Sequence, residues 1–370
     1  MKKSSNDAMF RMPGEKKKSS RSKAFVRSTS TKYVRRRRRH INWGVVIAAV
    51  LFALVIGVSV LVILLRNDGG PVTDETVQTA GTTADVTSGE TEPAGDFITV
   101  TVDNGTVHTG DVILVNYAHE YVFPQDQRLI TVYGNKNQSY KVSNGSLSLR
   151  SDIVERLNAM LADFEAETGC HDVLVNSGYR SFEEQTELYD ERVAKYGQAE
   201  AEEYVSKPGC SEHHTGMAID FSIYTDEGKS YVFGKYEDAE WLRMHFAEYG
   251  FILRYPENKA DITKVSFEGW HYRYVGRAHA MIMDYLELCL EEYVEYVKSY
   301  TADGKYLTLL SDGDVSYMYA GNEMKCECAV YYVPASDGGT TGIMIPAGME
   351  YDISGNNADG FIVTVYGKAE

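Results

Sequence analysis

The sequence is poor in cysteine and proline, with 5 Cys and 8 Pro in 370 residues, and it contains no Cys-x-x-Cys pair. The lack of such pairs argues against a structural zinc site of the zinc-finger kind. Because the cysteine number is odd, at least one thiol must stay unpaired within the chain. Cys210 lies three residues before His213, so a role as a metal ligand is conceivable. A buried free thiol is the favoured interpretation.

Positive charge is scarce beyond the first 42 residues. Residues 1–42 contain 15 Lys and Arg against only Asp7 and Glu15, whereas the whole chain has a formal net charge of −16. The remainder is therefore strongly acidic, which argues against a body that binds nucleic acid. The basic segment has few apolar residues and is predicted to be a disordered cytoplasmic tail.

One long apolar run, residues 43–65, contains no charged side chain. At about 1.5 Å per residue, a helix of this length crosses a hydrocarbon core of about 30 Å. Arg35–Arg39 precede it, and positive residues stay on the cytoplasmic side. We therefore expect a single-pass anchor in the cell membrane, with the N-terminus inside and the rest of the chain outside. A cleaved signal peptide would normally have shorter basic and apolar regions.

The composition changes twice more along the chain. Residues 66–96 are mostly Thr, Gly, Asp, Glu and Pro, and predict a flexible extracellular linker. Residues 97–300 show strand and helix patterns and are predicted to form the main folded domain. In residues 301–370 apolar runs alternate with glycine-rich turns, which predicts a small β-rich C-terminal extension whose role the sequence does not indicate.

Local patterns predict several elements within 97–300. Residues 97–103 read as a strand, followed by Asn104-Gly105, a typical hairpin turn, and a second strand at 112–115. Apolar residues at helical spacing predict a helix from Ser151 to Gly169.

Longer helical patterns occupy residues 182–204 and 277–300. Short apolar runs at 172–177, 217–222 and 271–275 predict strands, because each is bounded by turn residues.

Two short motifs carry the residues of a candidate site. The stretch 211–220 places His213 and Asp220 near each other, and Glu268-Gly-Trp-His271 adds a second histidine. Two imidazoles and one carboxylate are a familiar ligand set for catalytic zinc, which keeps a fourth position open for water. Glu268 is then left to act as a general base.

The backbone must bend for this set to converge. His213 precedes the predicted strand that contains Asp220, so Thr215-Gly216 must turn the chain, with Gly216 taking an unusual backbone angle. Arg180, at the end of another predicted strand, could stabilise the negative charge that peptide hydrolysis builds on a carbonyl oxygen.

Each of these signals is weak alone. A single histidine is usually structural, Arg180 by itself would most often form a surface ion pair, and Glu268 by itself would be a solvated loop carboxylate. His214 is a poor ligand candidate, because adjacent residues on an extended chain point apart. The joint occurrence of the signals favours a site.

The motifs resemble those of the zinc D-alanyl-D-alanine carboxypeptidases of the VanY type, within the M15 peptidases. The pattern S-x-H-x-x-G-x-A-x-D is met at 211–220, E-x-W-H at 268–271 and S-G-Y-R-S at 177–181. The resemblance covers roughly residues 110–298. It implies an α+β fold of the Hedgehog and DD-peptidase kind, a small antiparallel sheet flanked by helices.

The resemblance also implies roles for individual residues. The ligands of Zn²⁺ would be His213, Asp220 and His271. Glu268 would be the general base. Arg180 would be a catalytic cation that also contacts the substrate, and Ser211 would help to bind the substrate. The substrate would be the peptidoglycan stem peptide, cut before its C-terminal D-alanine by a D,D-carboxypeptidase. L,D-carboxypeptidases and wall endopeptidases share this metal set, so both alternatives stay open, as does a non-catalytic zinc-containing module that binds the cell wall.

Overall fold

The structure is a computed structural model that describes residues 97–235 and 239–367. The predicted cytoplasmic tail, membrane helix and linker, residues 1–96, lie outside the described residues and stay predictions. Within the described ranges, no helix combines the length and apolar character needed to cross a membrane.

The strands are short and mostly antiparallel. They are β1 (Phe97–Asp103), β2 (Leu129–Thr131), β3 (Lys141–Val142), β4 (Ser148–Arg150), β5 (Val173–Ser177), β6 (Ala218–Tyr224), β7 (Ser230–Val232), β8 (Phe251–Leu253), β9 (His271–Tyr274), β10 (Lys305–Leu309), β11 (Val315–Tyr319), β12 (Cys328–Pro334), β13 (Thr340–Pro346), β14 (Glu350–Gly355) and β15 (Gly360–Tyr366).

The α-helices of the described chain lie between strands β2 and β10. They are α1 (Val132–Asn135), α2 (Ser151–Thr168), α3 (Phe182–Tyr196), α4 (Gln198–Tyr204), α5 (Glu240–His245), α6 (Ala260–Thr263), α7 (Arg277–Leu286) and α8 (Leu290–Val297).

A central sheet carries most of the candidate site. Its strand order is β3-β5-β6-β9-β8, with β7 attached to β6. Only the β3–β5 pair among these described strands is parallel. The register places Asp220 of β6 opposite His271 of β9. Directly opposed residues project to the same face of a sheet, so the two side chains meet.

Helix α2 packs on the core of this sheet. Its stripe of Leu157, Leu161 and Phe164 is buried and shares one apolar cluster with Val175 and Phe221 of the sheet. The helix ends at Thr168 and is capped by Gly169, whose φ is 71°, at the position that the sequence predicted. The sheet and its flanking helices give a mixed α+β fold.

The C-terminal residues form a second sheet, of order β11-β10-β12-β15-β14. Its apolar side chains share another cluster with helices α7 and α8, in which Ile282 and Val294 lie with Val330 and Val363. The β structure expected for the described part of 301–370 is present, and it packs on the helices that precede it.

The predicted hairpin at Asn104-Gly105 is wrong. Strand β1 pairs along its whole length with β13, and the Asn104-Gly105 dipeptide opens a short 3-10 helix. The described segment 112–115 forms no strand, because its backbone bonds to a C-terminal loop; the Leu114 N–H, for example, donates to the Asn356 carbonyl. Long-range pairing overrides the local turn signal.

Two predicted long helices are each broken into two. The 182–204 pattern divides into α3 and α4 at Gly197, whose φ is 89°. The 277–300 pattern divides into α7 and α8 after Glu287, whose φ is 55°. A residue with positive φ cannot continue a right-handed helix.

Candidate metal centre

The loop that carries His213 is a short 3-10 helix, Glu212–Thr215. It ends at Gly216, whose φ of 68° lies in the left-handed region, as predicted. A Cβ on this glycine would lie 2.7 Å from Leu129 Cδ2. The turn therefore needs glycine for its angle and for its space, and it directs His213 back toward strand β6.

Three side chains predicted as ligands converge. The Nε2 atom of His213 lies 3.3 Å from Asp220 Oδ2, and His271 Nδ1 lies 3.2 Å from Asp220 Oδ1. One ligand atom from each residue falls within 4.8 Å of the others. Bonds of about 2 Å from each atom to one ion can span such separations. We call His213, Asp220 and His271 the metal cluster.

The ring of His213 has a defined orientation. Its Nδ1 lies 2.6 Å from the Gly178 carbonyl oxygen. A carbonyl only accepts, so Nδ1 carries the proton and donates, which leaves Nε2 with a lone pair facing Asp220. Burial, with the Arg180 charge, lowers the pKa of His213 to about 4. The imidazole is therefore neutral near pH 7, as a metal ligand must be.

The two other members of the cluster influence each other. Burial alone would lower the pKa of His271, but the Asp220 and Glu212 carboxylates outweigh it and raise this pKa to about 9. Burial alone would raise the pKa of Asp220, yet the imidazoles of His213 and His271 hold it well below its usual range. Asp220 is thus an ionised carboxylate.

Glu268 lies at the edge of the cluster, just before β9. Its Oε2 is 3.5 Å from His271 Nδ1, and its side chain is largely buried. Burial raises the pKa of Glu268 to about 7; the His271 charge opposes this rise and the Asp220 charge adds to it. A carboxylate with a pKa near 7 can accept a proton and return it at neutral pH.

Arg180 reaches the same opening from the end of β5. Its Nη2 donates to Asp220 Oδ2 at 3.0 Å. Its Nε and Nη2 both donate to Ser177 Oγ, and Nη1 donates to Gln185 Oε1. The guanidinium is held beside the metal cluster, with its side chain 24% exposed.

Ser211 is placed differently from the other predicted residues. It is buried directly before the 3-10 helix, and its carbonyl accepts from the His214 N–H. The structure thus makes it part of the loop wall, and its assignment to substrate stays a prediction.

His214 has a supporting position. Its Nδ1 donates to the Arg180 carbonyl at 2.8 Å, and its Nε2 accepts from the Gly209 N–H at 3.1 Å. Both ring nitrogens are engaged away from the cluster. The side chain ties the Arg180 backbone to the turn before the histidine loop.

The sequence interpretation missed Glu212. This residue is 1% exposed, and its Oε1 accepts from Arg254 Nε and Arg273 Nη1. Its Oε2 lies 3.6 Å from His271 Nε2. The only sequence signal for Glu212 was its position next to His213. Its partners Arg254 and Arg273 lie far away in the chain, and one sequence does not show which distant residues meet.

A second group of possible ligands is occupied by a lysine. His171, Asp172 and Asp226 lie close together, but Lys141 Nζ contacts the Asp172 and Asp226 carboxylates at 2.9 and 2.8 Å. The ammonium already neutralises this partly exposed group, so it is not a metal site.

The metal cluster itself fits a divalent cation. Among the described residues, Asp220 Oδ1 is buried and has no hydrogen-bond partner. A buried carboxylate oxygen without a donor needs a cation or another partner. Two imidazole nitrogens and one carboxylate match the donor set that zinc takes in catalytic sites, and the ion would take the place of the second ring proton that the raised pKa of His271 implies.

The region that carries the site residues is similar to a known family of enzymes. The family model described as VanY, D-alanyl-D-alanine carboxypeptidase, matches residues 146–277, a range that contains every predicted site residue from Arg180 to His271. A D-alanyl-D-alanine carboxypeptidase of Enterococcus faecium is 30% identical over 269 residues, which cover 72% of this chain and 78% of the relative.

The names of two further relatives also refer to D-Ala-D-Ala. The bifunctional D-Ala-D-Ala dipeptidase and carboxypeptidase VanXYC of Enterococcus gallinarum is 38% identical over 129 residues, 34% of this chain and 68% of its own. The crystal structure of the vancomycin resistance D,D-dipeptidase VanXYg, in complex with a D-Ala-D-Ala phosphinate analog, is 31% identical. It covers 74% of this chain and 100% of its own, with a TM-score of 0.61.

Proposed function

The chain belongs to the VanY family of D-alanyl-D-alanine carboxypeptidases, and from this premise we propose that it is a zinc enzyme that removes the C-terminal D-alanine from peptidoglycan stem peptides. The observation that carries the proposal is the convergence of the ligand atoms of His213, Asp220 and His271 within 4.8 Å. Glu268 and Arg180 border the same opening.

The metal cluster would hold the ion through His213 Nε2, a carboxylate oxygen of Asp220 and His271 Nδ1. Zinc bound there supplies a Lewis acid that polarises a carbonyl and brings the pKa of water to about 7. Glu268, whose own pKa is near 7, accepts the proton of the attacking water and passes it to the leaving amine.

Arg180 supplies the fixed positive charge of the site. Its Ser177 and Gln185 contacts hold the guanidinium in place before substrate arrives. A preorganised cation stabilises the charge that develops on the scissile carbonyl oxygen without rearranging in the reaction. The same group can hold the substrate carbonyl in the ground state.

The names of the relatives favour a D,D specificity, because each refers to D-Ala-D-Ala. The decisive experiment is to incubate the purified full-length protein with pentapeptide and tetrapeptide stems, with and without zinc, and to weigh the products. We expect zinc-dependent loss of one alanine from the pentapeptide. Cleavage of the tetrapeptide alone would make it an L,D-carboxypeptidase, and cleavage of cross-linked dimers alone an endopeptidase.

A non-catalytic zinc module that binds the wall is the alternative of another class. A structural zinc ion gains nothing from a buried carboxylate of raised pKa at 3.5 Å from a ligand ring. Glu268 therefore favours the enzyme. Zinc binding with no turnover of any stem peptide would favour the module.

We also propose that the protein is anchored in the cell membrane by residues 43–65, with the catalytic domain outside. The charge-free run and the preceding Arg35–Arg39 support this topology. Protease added to intact cells should remove the catalytic domain and spare the N-terminal tail. Recovery of the full-length protein in the soluble fraction would contradict the anchor.

A further inference from the structure

Glu212 is a buried carboxylate for which the proposed mechanism has no role. It lies next to His213 in the chain, is 1% exposed and contacts the other ligand histidine, His271, in space. We propose that Glu212 is a positioning residue that fixes the tautomer and orientation of His271, so that Nδ1 faces the metal. This inference rests on the proposed zinc site.

The two oxygens of Glu212 have separate partners. Oε1 accepts from Arg254 Nε at 2.7 Å and from Arg273 Nη1 at 3.0 Å. Oε2 is buried and lies 3.6 Å from His271 Nε2; neither atom has a hydrogen-bond partner elsewhere in the described chain. Each atom therefore lacks a hydrogen bond, and a shift of a few tenths of an ångström would join the two.

The two arginines prevent the carboxylate from turning. Arg254 is fully buried and also donates from both Nη atoms to Glu291 on α8, at 2.9 and 2.7 Å. Arg273 is fully buried and donates from Nη2 to the carbonyls of Asp111 and Ile113. Rotation of Glu212 would leave two buried guanidinium groups short of an acceptor, which is costly.

The fixed acceptor determines which nitrogen of His271 carries the proton. Once an ion has taken the place of its second proton, the His271 ring has one N–H and one lone pair. With the proton on Nε2, facing Glu212, the lone pair is on Nδ1, the atom that lies 3.2 Å from Asp220 Oδ1. His213 is oriented by the same logic, since its non-ligating nitrogen donates to the Gly178 carbonyl.

A purely structural role, as a counter-charge for the arginines, is the competing interpretation. The substitution Glu212→Gln separates the two. Its single amide oxygen must face Arg254 and Arg273, because an amide NH₂ there would oppose two donors. The NH₂ group then faces His271 Nε2 and donates to it, which moves the ring proton to Nδ1 and blocks that atom as a ligand.

The test compares full-length Glu212→Gln with Glu291→Gln. The second variant removes one carboxylate charge from Arg254, but Glu291 binds this arginine through Nη1 and Nη2, whereas Glu212 binds it through Nε. Zinc affinity is measured by chelator competition, and thermal unfolding without metal confirms that each protein is folded. We expect Glu212→Gln to weaken zinc binding at least about tenfold, and Glu291→Gln to bind zinc like the wild type.

Equal zinc affinity in Glu212→Gln and the wild type would overturn the inference, as would an equal loss in both variants. A wild type that binds no zinc would instead refute the proposed function. If Glu212→Gln does not fold, ¹H–¹⁵N spectra of histidine-labelled, zinc-loaded wild type decide the matter. The His271 signal, identified by its absence from His271→Ala, must show a protonated Nε2; a protonated Nδ1 would overturn the inference.

Discussion

Two groups of buried charges lie on opposite sides of the His271 ring and differ in how they are paired. In the arginine network, formed by Arg254, Arg273, Glu212 and Glu291, the guanidinium groups are held by carboxylates and carbonyls. In the metal cluster, Asp220 Oδ1 has no hydrogen-bond partner within the described residues. The one oxygen of this network that lacks a bond, Glu212 Oε2, lies 3.6 Å from a ring nitrogen of His271. Buried charge that the protein satisfies itself supports the fold, whereas Asp220 Oδ1, a buried acceptor among the candidate ligand atoms, indicates a bound cation.

The largest expected effect comes from the arginine network. Arg254→Met leaves the Glu212 and Glu291 carboxylates without their shared cation, so we expect it to lower the free energy of unfolding by about 3–5 kcal/mol. Denaturant titration measures this. The matched control is Lys325→Met, which breaks an ion pair with Glu323 that is 78% exposed on both sides and should cost less than about 1 kcal/mol. An equal loss of unfolding free energy in the two variants would show that the arginine network does not support the fold more than an exposed ion pair does.

The second effect concerns chemistry rather than stability. Glu268→Ala should lower kcat by at least about a hundredfold, or about 2.7 kcal/mol, because it removes the proposed general base. Zinc affinity and thermal stability should stay close to those of the wild type. The exposed Glu257→Ala serves as the control and should keep full turnover. Unchanged turnover in Glu268→Ala would eliminate the proposed base.

His279, a buried imidazole outside the metal cluster, should make the free energy of unfolding depend on pH. His279 is engaged at Nδ1 by the Tyr293 hydroxyl and at Nε2 by Thr364 Oγ1, and burial lowers its pKa to about 4. Below pH 6.5 the unfolded chain binds this proton more tightly than the folded one, so stability falls as the pH drops from 6.5 toward 4. The contribution lost between pH 7 and pH 5 is about 2 kcal/mol.

This contribution can be isolated by comparing the wild type with His279→Gln. Urea titrations at pH 7 and pH 5 give the acid-induced loss for each protein. The loss should be smaller in the variant by the amount assigned to His279. Identical losses in the two proteins would show that this imidazole takes up its proton without penalty in the folded state.

The smallest expected effect is the difference in stability between alanine variants of two glycines that have similar φ angles. A Cβ added at Gly169, whose φ is 71°, would have no atom within 4 Å, whereas a Cβ at Gly216, whose φ is 68°, would meet Leu129. Gly169→Ala should cost about 1 kcal/mol of strain, and Gly216→Ala about 1 kcal/mol more. Only Gly216→Ala should also weaken zinc binding, because its turn orients His213. Chemical denaturation and chelator competition measure the two quantities.

The candidate site was predictable from the sequence to the extent that it is local. His213, Gly216 and Asp220 lie within one motif, and a bend at the glycine was a steric requirement. His271 and Glu268 lie in a second motif, and its strand pairs with the first through Asp220. The helix of residues 151–168 followed from its apolar spacing for the same reason.

Contacts between distant segments were not predictable. The partner of β1 is β13, and no local pattern could outweigh the turn signal of Asn104-Gly105. Glu212 depends on Arg254, Arg273 and Glu291, which come from separate elements. A carboxylate inside a ligand motif looks like a solvated residue until the arginines that bury it are placed around it.

The pairing of β1 with β13 has a mechanical consequence. Each residue of β1, from Phe97 to Asp103, is matched with one of β13, from Pro346 back to Thr340. Tension that enters the chain at Phe97 is borne first by this ladder and only afterwards by β5, β6 and β9. The β1–β13 pair would therefore have to separate before a pulling force at Phe97 could change the spacing of the ligand atoms of His213, Asp220 and His271.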